Sequence, residues 1–103
     1  MSKFKIYKKI CLMLPESEET YPFGPENCVI KVNDKMFAIL DEIEISLKCN
    51  PDLALDYREM YEGVKPGYHL NKKHWNTIIC SGQLTDDEVF DLARLSYQLV
   101  SGE

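Results

Sequence analysis

Residues Pro66 to Thr77, PGYHLNKKHWNT, concentrate the side chains of this sequence that could do chemistry. Twelve positions hold two histidines, two lysines, two asparagines, a tyrosine and the single tryptophan of the chain. Ammonium groups contact phosphates, and carboxamides offer a donor and an acceptor to a phosphate or a base edge. Flat rings stack on unpaired bases. The chemistry that fits this mixture is recognition of a polar partner, with nucleic acid foremost. Tyr68, His69, Asn71, Lys72, Lys73, His74, Trp75 and Asn76 are the candidate residues, and Lys48, Arg58 and Lys65 extend the basic face. A structural reading competes at two points. Trp75 could pack the sheet, and a lysine pair at a hairpin tip is often only solubilising.

Other chemistries find less support. His69 and His74 with Cys80 or Cys49 could hold a metal, but third and fourth ligands are not evident and no carboxylate stands nearby to orient a ring. Cys11, Cys28, Cys49 and Cys80 are widely spread without a C-x-x-C pair, as expected of free thiols packed as small hydrophobes. Cys49 and Cys80 show no spacing that marks a Cys/His nucleophile. The five glycines are isolated, so no phosphate-cradling loop is present. The chain reads as non-enzymatic and without a cofactor.

At 103 residues the sequence fits one domain, 1–103, with a globular composition of 45% hydrophobic and 28% charged residues. Its longest apolar runs, Ile10–Leu14 and Met36–Leu40, are far shorter than the ~20 residues that cross a bilayer. Pro15 and Glu16 end the first of them too early for a signal peptide. No membrane association and a cytoplasmic location are expected. The net charge of −5 disfavours indiscriminate coating of nucleic acid, but the charges are segregated. Met1–Pro15 carries four lysines and no acid, Glu16–Glu26 four glutamates and no base. Residues 63–85 carry three lysines and two histidines without a carboxylate, and 86–103 five carboxylates against Arg94.

These residues must be positioned by regular elements. Phe4, Tyr7, Ile10, Cys11 and Leu14 recur at helical spacing, predicting a helix over 3–14 stopped by Pro15. Tyr21-Pro-Phe-Gly-Pro25 is a stiff connector. Cys28–Val32 and Lys35–Asp41 read as strands joined by a tight Asn33-Asp34 turn, the second apolar on both faces over Met36–Leu40 and therefore central or covered by a second subunit. Ile43, Ile45 and Leu47 alternate with Glu44, Ser46 and Lys48, predicting a strand with one wet face. Asn50-Pro51 starts a helix whose apolar stripe is Leu53, Tyr57, Met60 and Tyr61, ended by Gly63. Gly67–Leu70 and Trp75–Cys80 read as a hairpin in which His69 faces His74 and Tyr68 faces Trp75. Thr85 and Glu88 form a capping box ahead of a helix with Val89, Leu92, Ala93, Ser96 and Val100 on its buried side. The expected fold is α+β, order αβββαββα, with a five-stranded antiparallel sheet and helices on one side.

The stretch SLKCNPDLALDYREMYEGVKPGYHLNKKHWNTI, Ser46 to Ile78, resembles the signature region of the MmcQ/YjbR family of small bacterial proteins. YPFGP at Tyr21–Pro25 and KMFAIL at Lys35–Leu40 match it as well, so the resemblance covers nearly the whole chain. It implies a two-layer α+β fold of the secretion-chaperone type, in agreement with the element order. It also implies a DNA-binding, double-wing protein in which hairpins act as wings. The expected function is therefore DNA or RNA binding through the basic, aromatic hairpin. The alternative is a chaperone-like module that pairs with a partner protein or as a homodimer.

Overall fold

Helix α1 spans Lys3–Leu12 and buries Tyr7 and Cys11, one turn apart, against the sheet. It ends ahead of Pro15, which disfavours the helical basin for Leu14. The computed structural model describes residues 3–67, 74–79 and 84–101. Strands β1 (Glu18–Thr20), β2 (Cys28–Val32), β3 (Lys35–Leu40) and β4 (Glu44–Lys48) follow. Then come helix α2 (Pro51–Met60), strands β5 (Val64–Pro66) and β6 (Trp75–Ile79), and helix α3 (Asp86–Ser101). Six strands form one sheet in the order β1-β2-β3-β4-β6-β5, and every pair is antiparallel.

The sheet therefore has six strands rather than the expected five, and the element order is αββββαββα. The added strand is Glu-Glu-Thr, whose charges and three-residue length give no apolar alternation. It forms by pairing with the edge of β2, Glu19 opposite Ile30. Both edges of the sheet are short, one acidic at Glu18 and Glu19 and the other carrying Pro66, which blunts pairing with other chains.

Register fixes the faces. Cys28, Leu40, Ile45, Ile78 and Val64 stand opposite one another across the strands, and Ile30, Ala38, Leu47 and Asn76 make the next row on the same face. These apolar side chains form the core with Val89, Ala93 and Val100 of α3 and Tyr7 and Cys11 of α1. On the opposite face one row runs from edge to edge: Thr20, Val29, Ile39, Ser46, Thr77 and Lys65. Ser46 was expected on a wet face, but it is 8% exposed and hydrogen-bonded to Thr77 at 2.9 Å. Ile43, expected to point inward, precedes the strand in an Asx turn around Asp41 and is exposed. β3 is central, as its two apolar faces require.

The β2–β3 turn carries positive φ at Asn33 (52°) and Asp34 (63°), the type I′ geometry that matches strand twist. Within this pair Ile30 faces Ala38 but Lys31 faces Met36, so Phe37 is the extra residue of a bulge. Phe37 is fully buried and meets the Tyr97 ring of α3 edge-on at 5.5 Å. On its other side β3 pairs with β4 up to Ala38–Leu47. At the next position the Ser96 hydroxyl of α3 accepts from Lys48 N–H (2.9 Å) and donates to the Phe37 carbonyl (2.6 Å).

Helix α2 begins at the Asn50 cap, whose side chain accepts from Asp52 N–H, with Pro51 in the first turn. Its buried side is the expected stripe only in part: Tyr57 and, just past the helix, Tyr61 pack half-buried against the core. Leu53 and Met60 are exposed, while Ala54 is buried and Tyr57 and Arg58 are half-buried. The helix stops at Met60, before Gly63, because Tyr61 turns to extended backbone. The β5 strand also starts earlier than expected, at Val64 rather than Gly67. Thr85 and Glu88 make the reciprocal capping box of α3 at 2.9 and 3.2 Å.

Ser96→Ala removes the hydroxyl that bridges the open ladder and leaves one donor and one acceptor unpaired. A loss of about 1–3 kcal/mol in urea unfolding is expected, with unchanged circular dichroism at zero denaturant.

Candidate nucleic-acid interface

The β5–β6 hairpin is closed at its base by Val64–Ile78, Lys65–Thr77 and Pro66–Asn76. Gly67 N–H donates to the Trp75 carbonyl at 2.9 Å, which places Gly67 opposite Trp75. Trp75 was expected to face Tyr68, and the register is one residue away from that. Glycine is required at 67 because a Cβ there would stand 2.8 Å from Trp75 Cβ. The expected pairing of His69 with His74 lies outside the described residues, as do the sites assigned to Tyr68, His69, Asn71, Lys72 and Lys73.

The described candidates divide by face. Lys48 stands opposite Trp75, and Lys65 opposite Thr77, on the face turned away from the helical core. Lys65 is exposed and Lys48 half-exposed. His74 is half-exposed, and its carbonyl accepts from Cys49 N–H at 2.6 Å, fixing the start of β6 beside the end of β4. Trp75 is only 7% exposed, so its indole packs the sheet and offers little ring to an unpaired base.

Asn76 and Arg58 lie on the other face, in contact with each other. Asn76 is 4% exposed; its amide donates to the Ala54 carbonyl (3.2 Å) and its oxygen accepts from Arg58 Nε (2.7 Å). Arg58 also donates to the Trp75 carbonyl at 3.3 Å. The two residues expected to reach a ligand instead clamp α2 to β6. A charged donor saturates a buried amide that would otherwise be costly. The sequence marked both as polar and useful, but not that each would be the other's partner.

One of the remaining cations and three of the thiols are committed. Lys8 pairs with Glu19 at 3.4 Å and lies 5.3 Å from the Phe4 ring centroid. Cys11, Cys28 and Cys49 are buried free thiols, and burial pushes the Cys11 thiol up to about 12, far from a nucleophilic thiolate at neutral pH. Among the described residues no group of three metal-ligating side chains converges. Two surface grooves are acidic: one of about 460 Å³ beside Glu26, Asp41 and Glu42, and one of about 580 Å³ beside Glu16, Glu18 and Asp34. Neither suits a polyanion. Within the described residues, Lys48 and Lys65 stand on one sheet face at the hairpin base.

Two substitutions test this geometry. Gly67→Ala forces Trp75 and Gly67 apart, so the intrinsic fluorescence of the single tryptophan should shift to longer wavelength and stability fall. Asn76→Ala removes the acceptor of Arg58 Nε and the donor to the Ala54 carbonyl; about 1.5–3 kcal/mol should be lost in chemical unfolding.

Residues 12–99 match the YjbR family. The Escherichia coli O157:H7 uncharacterized protein YbdF is 37% identical over 97 residues, covering 90% of this chain and 80% of its own. The Escherichia coli K12 uncharacterized protein YjbR is 37% identical over 92 residues, covering 85% and 78%. The crystal structure of Deinococcus radiodurans protein DR2400 superposes with a TM-score of 0.90 at 35% identity, over all of this chain and 81% of that one. A Pseudomonas syringae protein superposes at 0.83 and 27% identity, over 97% and 99%. With a matched segment that runs from the end of α1 almost to the end of α3, and with the same fold in solved relatives, the chain belongs to the YjbR family.

Proposed function

We propose that this protein binds nucleic acid, DNA in the first instance, through the base and tip of the β5–β6 hairpin. The observation that carries the reading is the placement of Lys48 and Lys65 on one sheet face, at the foot of a hairpin whose connecting residues include Lys72 and Lys73. Cations at those positions neutralise phosphates in a manner that does not depend on sequence. The burial of Trp75 and Asn76 takes away an aromatic platform and an amide that could have read bases. Among the described residues, Lys48 and Lys65 offer backbone contact: weak, salt-sensitive and tolerant of sequence. Three phosphate contacts on duplex DNA correspond to a log–log salt slope of about −2.7.

Fluorescence anisotropy of labelled single- and double-stranded DNA at ~50 and ~200 mM salt tests the reading. Saturable binding that weakens with salt is expected. Lys48→Glu with Lys65→Glu should weaken it about tenfold or more, equivalent to ~1.4 kcal/mol or beyond. Lys72→Glu with Lys73→Glu should do the same. Absence of binding at the lower salt would remove the function, and unchanged affinity in both double variants would remove the site.

A further inference from the structure

On the helical side of the molecule a groove of about 250 Å³ runs between α2 and α3. Tyr57 of α2 and Tyr61, just past its end, form one wall; Glu88, Asp91 and Leu92 of α3 form the other, with Leu84 lining the groove as well. The walls are held in place. Tyr61 donates its hydroxyl to Glu88 at 2.7 Å, and Glu88 in turn accepts from Thr85 N–H at 2.9 Å. Those bonds hold the Glu88 carboxyl below its usual range, so it is ionised at neutral pH. Among the described residues Asp91 pairs with Arg94, at 3.8 Å between two exposed side chains, a pairing that a competing cation displaces readily. The Tyr57 hydroxyl makes no hydrogen bond among the described residues. Below the groove, Tyr57 and Leu92 also border a void of about 10 Å³ among Leu47, Cys49, Val64, Ile78 and Leu95. That is roughly the space of one water, so an occupant stops at the tyrosines.

Two aromatic rings, two carboxylates and two leucines around a shallow groove match an organic cation carried on an apolar arm. Ring faces attract a desolvated cation, and carboxylates complete its charge. Leu53 and Met60 extend the apolar surface outward: they lie two turns apart on α2, next to Tyr57, and are 41% and 62% exposed. We propose that the α2–α3 groove takes a lysine or arginine side chain from a partner protein, in a segment that alternates basic and apolar residues. Charge complementarity selects that partner. The groove is walled by α3, whose first turn carries Asp86, Asp87 and Glu88, with Asp91 following. Leu53 and Met60 then cover the apolar residues that flank the captured cation.

The test uses a synthetic peptide of alternating leucine and lysine, with a control in which norleucine replaces lysine, titrated into 15N-labelled protein. Shifts at the amides of Tyr57, Tyr61, Asp91 and Leu92 are expected for the lysine peptide, with an affinity of about 0.1–1 mM. Tyr57→Leu should weaken binding about three- to thirty-fold, and Tyr57→Phe, which keeps the ring, should not. Asp91→Asn should weaken it too, whereas Asp41→Asn with Glu42→Gln, in the distant acidic groove, should leave it unchanged. Equal binding of the norleucine peptide, shifts centred on the distant groove, or unaltered affinity in a folded Tyr57→Leu protein would overturn the proposal. None of these outcomes bears on DNA binding, which is read on the other face.

Discussion

The arrangement of the helical layer depends on one inserted hydroxyl. A strand pair normally joins its own N–H and carbonyl groups, but the bulge at Phe37 shifts β3 out of step with β4 at Lys48. Ser96 of α3 fills the opening, accepting from one strand and donating to the other. A helix is thereby bonded to the backbone of two strands at a site that is fully buried. Phe37 can then turn inward beside Ala38 and meet Tyr97, and Tyr97 reaches on to donate to the Pro15 carbonyl at 2.7 Å. One misfit in the sheet thus sets the height of α3, and through Tyr97 the exit of α1.

Helix α2 is fastened by a different device with the same logic. Asn76 lies in the row of Ala38 and Leu47, where an apolar side chain would be the simple choice. Its amide instead bonds α2 at the Ala54 carbonyl and at Arg58. Polar groups placed in a core raise the cost of any arrangement in which they lose their partners. Ser96 and Asn76 therefore determine where the two helices sit, while the apolar rows supply most of the driving force.

Much of this was legible in the sequence. The Asn33-Asp34 turn, the Asn50-Pro51 helix start, the Thr85–Glu88 box and the central position of β3 each follow from local chemistry that the tertiary structure does not override. The parts that were not legible are those decided by partners distant in the chain. Glu18–Thr20 becomes a strand because β2 offers an edge. Ser46 is dry because Thr77, 31 residues away, stands across from it. Leu53 and Met60 fit a helical stripe, yet α2 meets the sheet through Ala54 and Arg58. The site was legible in the same uneven way. Lys48 stands on the strand face that was expected to be polar, while Arg58 and Asn76, equally polar as residue types, find each other.

Sorting the polar residues by face gives the molecule its functional polarity. A net charge of −5 gives the sum and not each surface: Lys48 and Lys65 stand on the sheet face turned from the helices, with Glu18 and Glu44 farther along the same face. In the proposed reading a phosphate at the hairpin base meets Lys48 and Lys65, and its attraction decays within about 8 Å at physiological salt, so the α3 carboxylates on the helical side are screened from it. A cation approaching α3 meets Glu88 and Asp91 under the same screening. Each face can therefore act by its local charge rather than by the sum. The antiparallel sheet enforces that separation, because alternate residues on every strand must point to opposite sides.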